Sequence, residues 1–534
     1  MNTLQLGPTP LAPDEIGPRG PRPGLPATKP AWAGRWVSLV PALVMLAVGL
    51  IGATRPVLSW DEIATADVER RSVPQIWQLV HTIDGVFAPY YFFMHFWTAA
   101  VGATVFDLRL PSIVAMAATV AATAELGRRL FSPTVGFVAG LLLCLIPNTS
   151  RYAAEARPYA IACLFSVVAL LLLYRARDRP RAGRWIAYSA AVVCLGLSHL
   201  LALTAIGAHL AIVAFDLRAT RSRRVALCWG ASVAIALALL TPVAKLGVAQ
   251  RGAQLSWVAP LTTSSLRDFP AAVVGSADAS WLLIGLALVA GWRLTRPVAE
   301  MAFAALVPLV VLGAVSAVGP SFWVARYLLI TLAPTAVLAG VALARVSTAA
   351  RAAGSGGGRD WRTGVRTKPV LRILAALALI AFAAYPGQLS VRGHNAKNGS
   401  DFRSAASIIH QYEQPGDGIV YQARSRTLRA GIDYYLRDDA GKPRDLLLLR
   451  SAAAVASLTG TEYPDVTGRV AGATRVWLLV TGEHSDPTSV RTELRTLLRK
   501  HYQRLQLWHI NRATLALFAR HTRRLSRSSR PVSR

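Results

Sequence analysis

Two carboxylates, Asp61 and Glu62, follow directly on an apolar stretch in VLSWDEIATADVERR. A carboxylate at such a boundary can serve as a general base once a hydroxyl comes within hydrogen-bond reach. It also suits the N-terminus of a helix, where acidic side chains oppose the positive end of the dipole. Both uses stay open for both residues. A second charged group, Glu155 with Arg157, occupies the short segment NTSRYAAEARPYA between two apolar runs. Charges so close to a hydrocarbon core are costly and mark functional candidates. Glu155 is a candidate for base, metal or acceptor positioning, and Arg157 for bidentate pairing with a phosphate. The plainer use of the two is an ion pair that closes the loop. Arg326 and Tyr327 in SFWVARYLL open a further apolar run, where the arginine either snorkels or contacts a phosphate. His199 closes another run in LSHLLA, and Trp257 sits in QLSWVAP, where it anchors at an interface or stacks on a ring. His81 and His95 have no partner that sequence identifies.

These residues need elements to bring them together. The chain has 534 residues, 53% hydrophobic and 16% charged, well below the charged share of about 25% in soluble domains. Apolar stretches recur at 36–55, 110–127, 133–149, 158–174, 185–199, 201–215, 225–243, 281–292, 298–318, 327–344 and 370–386. The composition implies a polytopic α-helical membrane protein of about eleven spans. The stretch 88–101, APYYFFMHFWTAAV, is apolar and aromatic but short, as in re-entrant or interfacial helices. With it excluded, the loops holding Arg128 and Arg129, Arg175 to Arg184, Arg218 to Arg224, Arg293 and Arg296, and Arg345 to Arg372 all fall on one side. Positive-inside orientation makes that side cytoplasmic. The net charge of +30 is then a matter of topology and not of nucleic-acid binding. The same arrangement places Asp61, Glu62, Glu155, Arg157 and Arg326 together at the outer face. It also makes the protein multi-pass in the plasma membrane, with the N-terminus cytoplasmic.

The organisation read from this pattern has a Pro- and Gly-rich disordered cytoplasmic tail over 1–35 and a transmembrane domain over 36–387. The latter includes a first outer loop at 56–109 and a basic Gly-rich cytoplasmic loop at 345–369. An extracytoplasmic α/β domain covers 388–520, with an amphipathic helix in DFRSAASIIHQYEQ and strands in GDGIVYQ, RDLLLLR, RVWLLVTG, RLQLWHIN and ATLALFAR. A basic disordered tail follows over 521–534. The four cysteines (Cys144, Cys163, Cys194, Cys228) lie within or at the ends of apolar stretches and show no disulfide or metal-ligand spacing.

The order WDEIATADVER, APYYFFMHFW, LRLPSI and GRRLFSPTVGFVAGLLLCLIPNTSRYAAEARPYA resembles the GT-C glycosyltransferases, in the protein O-mannosyltransferase-like and aminoarabinose-transferase-like branch. The resemblance covers roughly 36–345. It implies the GT-C fold and an enzyme that moves a sugar, with inversion, from a polyprenyl-phosphate donor to an envelope glycan, glycolipid or protein on the outer face. It maps the family's catalytic acid onto Asp61, with Glu62 beside it, and the second-loop charges onto Glu155 and Arg157. It makes 88–101 a juxtamembrane helix. Tyr90, Tyr91, Tyr159, His81, His199 and Trp257 become candidate sugar or lipid contacts, and Arg326 with Tyr327 join Arg157 at the donor phosphate. This chain reads Arg157-Pro158-Tyr159 where many relatives have an acid in the third place. No cofactor is read from these residues, with a divalent metal as the alternative. Ala-, Arg- and Val-rich composition looks actinobacterial, which favours mannose or arabinose. Two other classes remain: a transporter of lipid-linked sugars, which would place its charges near the midplane, and a non-catalytic assembly subunit.

Overall fold

The computed structural model describes residues 34–221, 223–354 and 367–521. The expected N-terminal tail and the last basic tail fall largely outside these residues, as does 355–366 of the expected 345–369 loop, whose two ends are helical in α17 and α18. The helical part opens with α1 (Trp36–Leu50), then α2 (Trp60–Val68), α3 (Val73–Thr82) and α4 (Ala88–Val101). A run of apolar helices follows: α5 (Val105–Leu130), α6 (Pro133–Leu145), α7 (Pro147–Ala153), α8 (Tyr159–Asp178), α9 (Ala182–Ser198), α10 (Ala205–Thr220) and α11 (Arg223–Ala249). Short helices α12 (Arg251–Leu255), α13 (Thr263–Arg267) and α14 (Phe269–Val274) fold the next loop. Then come α15 (Ala277–Gly291), α16 (Arg296–Val318), α17 (Leu332–Gly354) and α18 (Thr367–Ser390).

Among the described residues, seven segments are long and apolar enough to cross a membrane, and the bent pair α6–α7 makes an eighth if counted as one span. Three of the expected spans fall on shorter apolar helices, α1, α9 and α15. The 15 residues of α1 and α15 reach about 22 Å at 1.5 Å per residue, short of a hydrocarbon core of about 30 Å. The chain is thus a polytopic α-helical membrane protein. Two of its basic helix ends meet. Arg177 at the end of α8 and Arg296 at the start of α16 converge on Glu300, at 3.2 and 2.9 Å. Both also pair with Asp216 of α10.

Local chemistry sets the helix starts that matter for the site. Ser59 and Glu62 form a capping box at α2: Ser59 Oγ accepts from Glu62 N, and Glu62 Oε2 accepts from Ser59 N at 2.9 Å. Thr104 and Asp107 do the same at α5. The 71° bend between α6 and α7 follows from Pro147, which lacks an N–H and holds Ile146 extended.

The C-terminal part is a mixed α/β domain. It contains α19 (Phe402–Tyr412), β1 (Gly418–Tyr421), α20 (Leu428–Tyr435), β2 (Arg444–Asp445), β3 (Leu448–Arg450), β4 (Thr461–Glu462) and α21 (Val466–Ala471). β5 (Arg475–Thr481), α22 (Thr492–His501), β6 (Tyr502–Ile510) and β7 (Ala513–Arg520) complete it. The five-stranded sheet runs β2-β1-β5-β7-β6, parallel across β2, β1 and β5 and antiparallel across β5, β7 and β6. Successive side chains of a strand point to opposite faces, and both faces of β5 are covered. Trp477 and Leu479 pack on one side and Val476, Leu478 and Val480 on the other. The first side is not closed by the domain alone. Its core continues into Leu58, Ile63, Ala66, Tyr90, Met94 and Leu108 of α2, α4, α5 and the segment before α2. The domain is therefore sealed onto the first loop.

Candidate active site

At that junction lies a cavity of about 660 Å³. Seven of the residues singled out in the sequence line it: Asp61, Arg157, Tyr159, His199, Trp257, Arg326 and Tyr327. They come from α2, the α7–α8 loop, α8, the end of α9, the α12–α13 loop and the turn before α17. Arg326 Nη1 stands 3.7 Å from Asp61 Oδ2, an ion-pair distance too long for a hydrogen bond. The Asp61 side chain is 38% exposed, so its carboxylate is available to a ligand. The Arg326 guanidinium lies over Trp257 at 4.8 Å, with Tyr327 and Tyr159 at 5.7 and 5.8 Å. Arg157 lies over Phe87 at 3.8 Å. Nε of both arginines and Nδ1 of His199 are buried without a hydrogen-bond partner among the described residues.

Charge and shape agree in what they could hold. Arg157, Arg251, Arg326 and Arg426 face the cavity against Asp61 and Asp84, which favours an anionic ligand. Leu200, Leu201, Leu203, Val248, Leu255 and Phe322 form an apolar wall. An amphiphile with a charged head and a long apolar tail matches both. Arg426, Thr427 and Leu458 show that the C-terminal domain closes part of the cavity.

Glu62 does not face the cavity. Its carboxylate is fully buried and accepts from Arg109 Nε at 2.8 Å, Arg109 Nη2 at 2.9 Å, Lys397 Nζ at 2.9 Å and Ala156 N at 2.9 Å. Burial alone would raise this carboxyl; Arg109 and Lys397 overcome it and hold it far below the usual range. Burial, with Arg109 beside it, pushes Lys397 down to about 8. Lys397 also donates to the carbonyl of Ala154, and Thr65 of α2 donates to that of Ala156. The Glu62 network thus ties α2, α5, the 154–157 loop and the segment after α18 into one frame, which sets Asp61 and Arg157 relative to each other.

The other candidates stand apart from the cavity. Glu155 is buried beside the same network, with Arg151 at 4.0 Å, and burial raises its carboxyl. Tyr90 is in the core shared with the C-terminal domain. Tyr91 donates to Asp84 at 2.8 Å and so supports the cavity from behind. His81 is exposed and bonded to the carbonyl of Trp77. Sequence reading missed Arg109, Lys397, Asp84, Arg251 and Arg426. Asp84 carried a signal, since Asp-Gly marks a turn and Asp84 does adopt a left-handed backbone, φ 58°. Among the described residues, His410, Glu413 and Asp439 form the one group that could hold a metal ion, and it lies in the C-terminal domain, not at Glu155.

Residues 88–245 match the family model for dolichyl-phosphate-mannose-protein mannosyltransferase. No curated protein sequence matches the chain. Among solved structures, ArnT from Cupriavidus metallidurans in the apo state is similar with a TM-score of 0.59 at 14% identity, over 91% of this chain and 98% of that one. The same protein bound to undecaprenyl phosphate gives 0.58 at 15% identity, over 90% and 98%. At such identity the likeness is one of fold, and it extends through both the helical part and the C-terminal domain.

Proposed function

We propose that the chain is a GT-C-type membrane glycosyltransferase that takes a sugar, mannose or arabinose, from a polyprenyl-phosphate donor. The acceptor is a glycan, lipid or protein on the outer face. The observation that carries this reading is the exposed Asp61 carboxylate sharing one cavity with Arg157, Arg326 and an apolar wall. The matched mannosyltransferase model and the similarity to a structure that binds undecaprenyl phosphate support it.

In this mechanism the donor's polyprenyl chain lies along the Leu200–Leu203 wall and its phosphate between Arg157 and Arg326. The acceptor hydroxyl attacks the anomeric carbon and Asp61 takes its proton. The bond from that carbon to the phosphate oxygen breaks, and the polyprenyl phosphate leaves with inversion at the sugar. Preorganised cations at the leaving group stabilise the charge that develops there. Incubating the purified protein with a panel of radiolabelled polyprenyl-phosphate sugars and following release of polyprenyl phosphate tests the class. Arg326→Gln should lower kcat/KM by ~10²-fold, and unchanged turnover in that variant would remove Arg326 from the phosphate site.

The orientation belongs to the same proposal: eleven spans, counting the three shorter helices, with the N-terminus cytoplasmic and the C-terminal domain outside. The meeting of Arg177 at the end of α8 with Arg296 at the start of α16 supports it under the positive-inside rule. In a chain whose native cysteines are replaced, Arg129→Cys should label only from the cytoplasm and Glu493→Cys only from outside. Labelling of both from one side contradicts the topology.

A further inference from the structure

The C-terminal domain carries a second group of titratable side chains. His410 is in the last turn of α19, Glu413 follows as its C-cap, and Asp439 comes from the loop after α20. His410 Nδ1 is 2.6 Å from Asp439 Oδ2 and 3.5 Å from Glu413 Oε1. The three donor atoms all lie within 4.8 Å of one another. Two carboxylate oxygens therefore converge on one ring nitrogen, and a single N–H can serve only one of them. Among the described residues neither carboxylate has an ion pair with Lys or Arg, although the chain carries 58 Lys and Arg against 28 acids. Glu413 Oε2 is buried with no hydrogen-bond partner. Asp439 is held in place by Gly441 N, which donates to Oδ1 at 2.9 Å. The carbonyl end of α19 adds negative potential at the same point.

We propose that His410, Glu413 and Asp439 bind one divalent transition-metal ion of the zinc class. A cation between the three atoms satisfies both carboxylates at once, which a proton on His410 cannot. An imidazole with two carboxylates suits zinc, cobalt, nickel or manganese better than calcium or magnesium, which take oxygen ligands. Metal–ligand bonds of about 2.0–2.2 Å put donor atoms of a tetrahedral site roughly 3.3 Å apart. The observed 2.6 and 3.5 Å bracket that value. The His410 side chain is 70% exposed, which leaves room for water in the remaining position. The ion would pin the end of α19 to the loop after α20, the helix that directly follows the cavity-lining Arg426 and Thr427. This site stands on its own geometry and does not depend on the transferase reading.

Titrating cobalt(II) into the untagged full-length protein in detergent, followed by visible absorption, tests it, with zinc added afterwards as competitor. One saturable equivalent is expected, displaced by zinc. His410→Ala and Asp439→Asn should each weaken binding by more than about tenfold, since even loss of a group that only orients a ligand costs that much. His81→Ala, which removes an exposed histidine elsewhere, should bind like the wild type. Absence of a stoichiometric site, equal affinity in both ligand variants, or an equal loss in His81→Ala would each overturn the proposal.

Discussion

Replacing Asp61 with Asn is expected to lower kcat by ~10²–10⁴-fold, the span that a positioned general base contributes, while donor binding and folding stay near wild type. Three features combine to give this expectation. The Asp61 side chain faces the cavity with its nearest cation, Arg326, at 3.7 Å, so no short hydrogen bond has to break before it receives a proton. Asn keeps the size and the place at the start of α2 but cannot take that proton. Arg157 and Arg326 remain, so the phosphate of a polyprenyl donor should still bind. Binding of polyprenyl phosphate, measured beside turnover, separates loss of the base from loss of the site. Weakened binding in step with lost turnover would assign Asp61 to holding the donor.

The neighbouring residue should behave in the opposite way. Glu62→Gln leaves the fully buried Arg109 without its counter-charge, and breaking a buried pair costs about 3–5 kcal/mol. The thermal unfolding midpoint in detergent should fall markedly, and activity should fall with it. Arg109 keeps its bonds to the carbonyls of Ala53, Pro56 and Val57, so the chain should still fold at low temperature. There it should retain some turnover. The pH dependence gives the same assignment a second reading. The folded state holds Glu62 below the value of an unfolded glutamate, about 4.3. Its stabilisation is therefore full above that value and is lost as pH falls toward the folded one. Wild type should lose stability on that acid limb, and Glu62→Gln should lose less there. Equal stability of the two proteins at neutral pH would contradict the structural role.

Legibility in the sequence differs from residue to residue. That Asp61, Arg157 and Arg326 come together was legible: the sidedness of basic loops puts all three at the same end of the spans, and one cavity holds them. The helix over Ala88–Val101 was legible as a short apolar run, as were strands β1, β5, β6 and β7, whereas RDLLLLR, read as one strand, holds β2 and β3, which belong to different sheets. The choice between Asp61 and Glu62 was not legible. It depends on Arg109 and Lys397, which reach Glu62 from the start of α5 and from beyond α18. Local pattern shows only two adjacent acids at a helix start, one turned to the cavity and the other to the core. Span number was read less well: α1 is shorter than its apolar stretch, and α9 and α15, although longer than theirs, still fall short of a full span. The closure of the cavity by Arg426 and Thr427 had no signal at all, because it arises from a core shared between two distant parts of the chain.

Asp61 is proposed to remove the acceptor proton in a transfer from a polyprenyl-phosphate sugar. The most direct test is sugar transfer by purified wild type and Asp61→Asn under saturating donor, with radiolabelled polyprenyl-phosphate mannose and arabinose. Labelled product and free polyprenyl phosphate are expected from the wild type with at least one donor, and at least ~10²-fold less from the variant. Equal transfer by the two proteins, or no transfer from any polyprenyl-phosphate sugar, would contradict it.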